Sequence, residues 1–299
     1  MTALATPGKT DFFNKKLLEY YKWTKEVKGI IKTEKPDVVH FLYGDVFYKY
    51  FGLGLEGLKK KHKVVNTIHA LKKGKIGIVS LKRIMHLSSV GVVHTDAIFN
   101  EVKDAGIENV VHIEYPHFST GYDIDKAGAR KHYGLSENAF VLGCIGGTRY
   151  DKGLDILLKA LRSVTGDFEL LVAGAEDAIK REEIEELARP YRDRVKLHLS
   201  FLTDEEFEMA IQAVDAIVLP YRKTFNGASG PLGEGVAKGK IIIAANHGSL
   251  GDIVEKNHLG YTFESENIEA LKKVLNMAIQ RTNYTYDEKA NAYKNKLSI

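Results

Sequence analysis

The chain has 299 residues, 44% hydrophobic and 27% charged, with Lys+Arg 43 against Asp+Glu 39. That is the makeup of a globular protein of one large or two medium domains, two being favoured, and a net charge of +4 is too small to argue for nucleic acid as a partner. One cysteine, Cys144, excludes a disulfide framework or a zinc cluster, and no window approaches the roughly 18 to 20 apolar residues needed to span a bilayer. No signal peptide opens the chain, so a cytoplasmic protein is expected.

Residues Met1 to Thr10 read as an unstructured leader. Phe13 to Lys32 carries Leu17, Leu18, Tyr21, Val27 and Ile31 at helical spacing. Pro36-Asp37 breaks that helix, and the strand Val38 to Leu42 follows. Val46 to Leu58 is helical in pattern but interrupted by Gly52, Gly54 and Gly57. Then come strand Val64 to His69, helix Ile76 to Leu87, strand Val90 to His94, helix Ala97 to Ala105 and strand Val110 to Ile113. Strands alternating with helices predict right-handed crossovers and a parallel sheet. Lysines crowd positions 59–61, 63, 72, 73 and 75, with Lys82-Arg83 beyond and aromatics upstream from Phe41 to Phe51. Such a patch suits an anionic membrane surface, although a solvated lysine face beside an aromatic core has the same pattern.

From about Phe118 to Ser136 the pattern dissolves into polar sequence, read as a linker. The alternation restarts with strand Phe140 to Ile145, helix Gly153 to Val164, strand Glu169 to Ala173, helix Lys180 to Ala188 and strand Val195 to Leu199. Thr203 caps helix Asp204 to Val214, and strand Ala216 to Leu219 follows. The turn-rich loop Asn226 to Pro231 then feeds a short helix, Leu232 to Lys238, with Glu234 in its first turn, and the β-branched strand Ile241 to Ala245. A short element at Ile253, strand Gly260 to Phe263, helix Ile268 to Gln280 and a terminal helix Tyr286 to Leu297 complete the chain. The fold class expected is α/β, with two Rossmann-like doubly wound domains facing a cleft.

Ligands of open α/β sheets bind beyond the carboxyl ends of the strands. Strand Phe140 to Ile145 ends in Gly146-Gly147-Thr148-Arg149-Tyr150-Asp151-Lys152, two cations beside a glycine turn, the outline of a diphosphate clamp. Strand Glu169 to Ala173 ends in Gly174, and strand Ala216 to Leu219 in Pro220-Tyr221-Arg222. In the first half His69 and His94 end their strands in the same way. Taken singly, the cations could be solvated loop charges, the histidines structural, and Glu234 a helix-terminus charge. Asp123-Ile124-Asp125 mimics a metal-binding DxD but lies off any strand end and is read as chance.

The runs GGTRYDKGLDILLKAL, FELLVAGAED, RVKLHLSFLTDEEFEMAIQAVDAIVLPY and SGPLGEGVAKGKIIIAA resemble the donor-binding half of a retaining GT-B glycosyltransferase of the GT4 (glycosyl transferases group 1) family. The resemblance covers about Phe140 to Lys273 throughout, and KPDVVHFL, VVNTIHA, VGVVHTDAIFNEV and VHIEYPHF more thinly resemble the acceptor domain. It implies residues 1–120 as the acceptor-side domain, 121–136 as linker, 137–284 as donor domain, and helix 285–299 crossing back onto the first domain. By the same resemblance Arg149 and Lys152 match the basic pair on the donor diphosphate, Ser229 and Gly230 the loop whose backbone N–H groups hold the phosphates, and Gly147 and Gly174 are further donor-binding residues. Glu234 matches the second glutamate of the E-x7-E motif, on the ribose. Leu202 falls where the nucleobase is read, and His69 near the donor sugar. These imply a UDP- or GDP-sugar as donor substrate, no tightly bound cofactor, no metal, and a glycan or glycolipid acceptor.

Two departures stand out. The first glutamate of the motif is replaced by Asn226, which can still hydrogen-bond a sugar hydroxyl. The usual opening strand and glycine-rich loop of the first domain have no counterpart before Phe12. The expected function is a metal-independent glycosyltransferase of surface polysaccharide or glycolipid assembly, cytoplasmic or peripheral at the inner membrane face. Two alternatives stay open: a non-catalytic nucleotide-sugar-binding subunit completed by a partner chain, and a sugar-nucleotide epimerase of the same fold.

Overall fold

The computed structural model describes residues 13–72, 74–115, 122, 124–225, 227–280 and 284–297. The chain divides into two compact units, Met1–Ile113 and Glu114–Ile299. The first runs α1 (Phe13–Glu34), β1 (Val38–Phe41), β2 (Lys63–Thr67), α2 (Lys75–Leu87), β3 (Val90–Val93), α3 (Asp96–Asp104) and β4 (Val110–His112). The second runs α4 (Lys126–His132), β5 (Phe140–Ile145), α5 (Leu154–Leu161), β6 (Phe168–Ala173), α6 (Arg181–Ala188), β7 (Val195–His198), α7 (Asp204–Ala213), β8 (Ala216–Leu219), α8 (Gly230–Ala237), β9 (Ile241–Ala245), α9 (Gly248–Lys256), β10 (Gly260–Phe263), α10 (Ile268–Gln280) and α11 (Glu288–Leu297).

Both sheets are parallel, but they are wound differently. In the first unit the order is β1-β2-β3-β4, so each crossover steps the same way. Right-handed crossovers that never reverse must all lie on one face. Accordingly Phe47, Leu81, Ile84, Ile98 and Val102 from the connections share one core with Val64, Ile68, Val93 and Val110. On the opposite face Val38, Val111 and Ile113 are 50%, 41% and 50% exposed, although parallel strands are ordinarily covered on both sides. The segment between β1 and β2 forms the 3-10 helices Gly44–Tyr50 and Leu58–Lys60 in place of one α-helix. Gly52, Gly54 and Gly57 hold positive φ of 72°, 100° and 79° there, which breaks a continuous α ladder.

The second sheet has the order β10-β9-β8-β5-β6-β7. Side chains alternate along each strand between two cores. Leu142, Cys144, Leu170, Val172, Val218 and Ile243 pack with α5, α6 and α10. Val141, Ile145, Leu171, Ile217 and Ile242 pack with α4, α7, α8, α9 and α11. This sheet is doubly wound.

Three stretches differ from the sequence reading. Within the expected linker, α4 is capped by Asp125, whose carboxylate accepts from Gly128 N at 2.6 Å. Its Ala129 is buried in the second unit's core, and its buried Arg130 pairs with Asp215 at 2.7 Å and donates to Ala213 O at 3.0 Å. The polar composition hid a segment whose charge is neutralised inside the unit. The terminal helix α11, expected on the first domain, places Ala290, Tyr293 and Leu297 in the second unit's core beside Leu232 and Val236. That spacing gives one apolar stripe, and the stripe is spent on this unit. At Ile253, where only a short element was expected, α9 runs Gly248–Lys256 with Leu250 and Val254 buried.

Candidate active site

Chain order reverses between β5 and β8, which are neighbours. The connection after β5 leads to α5 in one core, and that after β8 leads to α8 in the other. Their first residues therefore diverge and leave a crevice beyond the strand ends, the place where open α/β sheets bind ligands.

One wall is the turn after β5. Gly146 has φ 112° and donates to Ala173 O at 2.7 Å, and Gly174 has φ 144°. A Cβ on Gly174 would stand 2.3 Å from Gly146 O, so a glycine at 174 is needed for the β5 and β6 ends to approach. Gly147 follows, its carbonyl accepting from Arg149 N at 2.9 Å. Thr148 ties this turn down, donating its hydroxyl to Ile179 O at 2.8 Å and accepting from Asp177 N at 2.8 Å. The 3-10 helix Tyr150–Lys152 then carries the cations.

Arg149 is half exposed and forks onto Asp151, with Nε to Oδ1 at 2.9 Å. Donating to Asp151 raises the guanidinium pKa further. Lys152 is different: burial lowers its pKa from the ordinary 10.5. Its Nζ lies 5.7 Å from the centre of the Tyr221 ring, and among the described residues no carboxylate forms an ion pair with it.

Tyr221, just beyond β8, forms the floor between the two walls. It is buried, and its hydroxyl meets Ser229 Oγ at 3.2 Å. Ser229 is the N-cap of α8, its side chain accepting from Leu232 N. Gly230 is the first residue of that helix, and no atom would obstruct a Cβ there within 4 Å. The structure thus brings Gly146, Lys152, Tyr221 and Ser229 together. Tyr221 was missed as a site residue, although its place at a strand end was the available signal.

Since α8 begins at Gly230, Glu234 lies beyond the first turn and not within it. It is half-buried, and stabilisation by the helix terminus is not what places it. Leu202 lies between β7 and α7, half-buried against the core that α7 and α8 share. Asn226 and Asp123 lie outside the described residues. Asp125, the other half of the DxD mimic, is occupied as the α4 cap.

In the first unit His69 follows β2. Its backbone N and that of Ala70 donate to the Asp45 carboxylate at 3.0 and 3.1 Å, and its Nε2 meets Leu42 O at 2.7 Å. The ring stacks on Tyr43 at 5.0 Å and sits 5.1 Å from His94. Burial lowers the pKa of His94, whose Nδ1 meets Ile113 O at 2.9 Å. His69 is a fixed side chain at a strand end, beside a second imidazole.

A sequence model of the family described as "Glycosyl transferases group 1" matches residues 125–296. The glycogen synthase of Rhodopseudomonas palustris (strain BisB18) is 25% identical over 236 residues, 73% of this chain and 45% of the synthase. The chain thus spans less than half the length of that relative. Sucrose-phosphate synthase from Thermosynechococcus elongatus superposes with a TM-score of 0.76 at 17% identity, over 98% of this chain and 76% of its own. HepE from Anabaena, solved with UDP, gives 0.72 at 17% identity over 93% and 78%. The lipopolysaccharide outer core galactosyltransferase WaaB, in its apo form, gives 0.63 at 16% over 94% and 80%. At such identities the likeness is one of fold, and the fold is GT-B.

Proposed function

Because the chain belongs to the glycosyl transferases group 1 family, we propose that it transfers a sugar from a UDP- or GDP-sugar to a hydroxyl acceptor with retention. One observation carries the reading: the half-buried Lys152 amine, beside a glycine turn and facing the Tyr221–Ser229 pair. A partly desolvated cation with no ion-pair partner among the described residues is disfavoured until an anion arrives, so the crevice favours a ligand with concentrated negative charge. The diphosphate of a nucleotide sugar supplies it.

Lys152 and Arg149 take the diphosphate, with Gly147 and Gly174 keeping that wall free of side chains and Ser229 and Gly230 offering the α8 N-terminus. As the glycosidic bond breaks, its electron pair leaves with the phosphate oxygen, and the two cations stabilise the growing charge. The acceptor hydroxyl attacks the anomeric carbon from the departing side, and its proton passes to the leaving phosphate. Glu234 holds the ribose, Leu202 borders the base, Asn226 binds a sugar hydroxyl, and His69 serves the sugar. HepE's UDP and WaaB's lipopolysaccharide role support a UDP donor and a surface glycan or glycolipid acceptor.

The place of action is proposed to be the cytoplasmic face of an anionic membrane. Helix α2 has no acidic residue and exposes Ile76 at 75% and Val79 at 57% between Lys75, Lys82 and Arg83. A second reading, a donor-binding subunit that works only with a partner chain, is favoured by the exposed Val38, Val111 and Ile113 at the first sheet's edge strands.

Thermal shift against UDP-, GDP- and ADP-sugars, with Lys152→Ala and Glu234→Ala as controls, tests the donor site. A rise with one base that both variants lose is the expected result. No rise with any of them would remove the donor-site reading. Sugar transfer by the isolated chain then separates the enzyme from the subunit.

A further inference from the structure

The Arg149–Lys152 turn carries two cations but has little of its own to hold it: it is a single 3-10 turn with no buried residue. What fixes it comes from across the crevice. Arg222, beyond β8, is 7% exposed. Its backbone N donates to Asp151 O at 2.9 Å, and its Nη1 donates to Tyr150 O at 2.5 Å. Its Nη2 reaches both oxygens of Asp155 at 2.8 Å, and its guanidinium lies 3.8 Å from the centre of the Tyr150 ring. Glu266 stands 3.8 Å from Nε. One side chain thus grips the carbonyl, the ring and the following helix of the turn.

The same residue anchors the opposite wall. Phe225 N donates to Arg222 O at 2.9 Å, at the entrance of the loop that leads to Ser229. Tyr221, its neighbour, lies under Lys152 and touches Ser229. Moving Arg222 would therefore shift the cations and the helix cap relative to each other.

We propose that Arg222 is the positioning residue of the donor site, setting the separation between the Arg149–Lys152 turn and the Ser229 cap through its hold on Tyr150 and Asp155. The proposal rests on the donor-site reading. The side-chain donors of Arg222 are engaged by Tyr150 O, Asp155 and Glu266. A planar fork is needed to reach a carbonyl and a carboxylate while stacking on a ring, and lysine cannot reproduce that.

The test is calorimetric titration of the full chain with UDP, GDP and ADP, using wild type, Arg222→Lys and Tyr150→Ala. Tyr150 is 62% exposed, so its removal spares the core while releasing the stacked guanidinium. Both variants should bind the preferred nucleotide about tenfold more weakly. The pH at which affinity is lost should also move up toward the ordinary lysine value, as a loosened turn lets water reach Lys152. A merely structural role would lower the melting temperature without moving that profile. Wild-type binding matched by both variants within about twofold, at an unchanged pH profile, would overturn the proposal alone. Binding of none of the three by wild type would remove the donor-site reading and the proposal with it.

Discussion

A Cβ placed on Gly146 would stand 2.6 Å from Lys152 Nζ. A side chain on the first residue beyond β5 would therefore begin where the amine now lies. With φ at 112°, Gly146 also holds a conformation that other residues rarely adopt. Gly146→Ala should displace the amine and strain the turn, costing about 1–3 kcal/mol of stability. Nucleotide affinity should fall by about tenfold or more. Chemical denaturation and calorimetry read the two effects separately.

Lys152 should make the free protein less stable than it could be. Burial lowers its pKa, so the folded state disfavours the proton that the unfolded chain keeps up to 10.5. Stability from this group is present above that range and lost as pH falls through the window below 10.5. Lys152→Met should raise the unfolding free energy at neutral pH by on the order of 1 kcal/mol and abolish nucleotide binding. In wild type, affinity should decline with rising pH before an ordinary lysine would deprotonate.

Lys240 gives a second pH signature, away from the site. Burial first, then the charges of Lys126, Arg130 and Lys238, push its amine down to about 8, against the pull of Asp215. Its Nζ donates to Gln212 O at 2.9 Å. Between about 8 and 10.5 the unfolded chain binds more protons, so stability should rise with pH there. A gain on the order of 2 kcal/mol is expected in urea midpoints taken across that window. Lys240→Met should flatten the slope.

The terminal helix offers a test of the packing. Leu297 is 1% exposed within the second unit's core. Leu297→Ala should cost about 2–4 kcal/mol, measured by denaturation of the full chain. A loss below about 0.5 kcal/mol would mean that α11 packs elsewhere.

Much of the second unit was legible in the sequence. Strand Phe140 to Ile145 and strand Ile241 to Ala245 occupy the residues that their apolar runs marked, because a buried parallel strand needs no partner information to declare itself. Thr203 was readable as a cap, and the structure adds the reciprocal bond, Thr203 N donating to the Glu206 carboxylate. The glycine turn with Arg149 and Lys152 stood out for the same local reason.

What hid was set by contacts distant in sequence. Residues 126–132 look polar until Asp215 neutralises Arg130, and Glu234 looks like a first-turn charge until Ser229 starts the helix earlier. Arg222 is an ordinary loop cation until Asp155, 67 residues away, is folded against it.

Local periodicity and turn chemistry marked, from the sequence alone, the strand ends to within one or two residues, since these depend on near neighbours along the chain. Only the tertiary structure decided which strand ends share a crevice, why the first sheet's connections gather on one face, and which lysine is partly desolvated with no ion-pair partner among the described residues. Those depend on strand order and on desolvation, and neither is a property of any short stretch of chain.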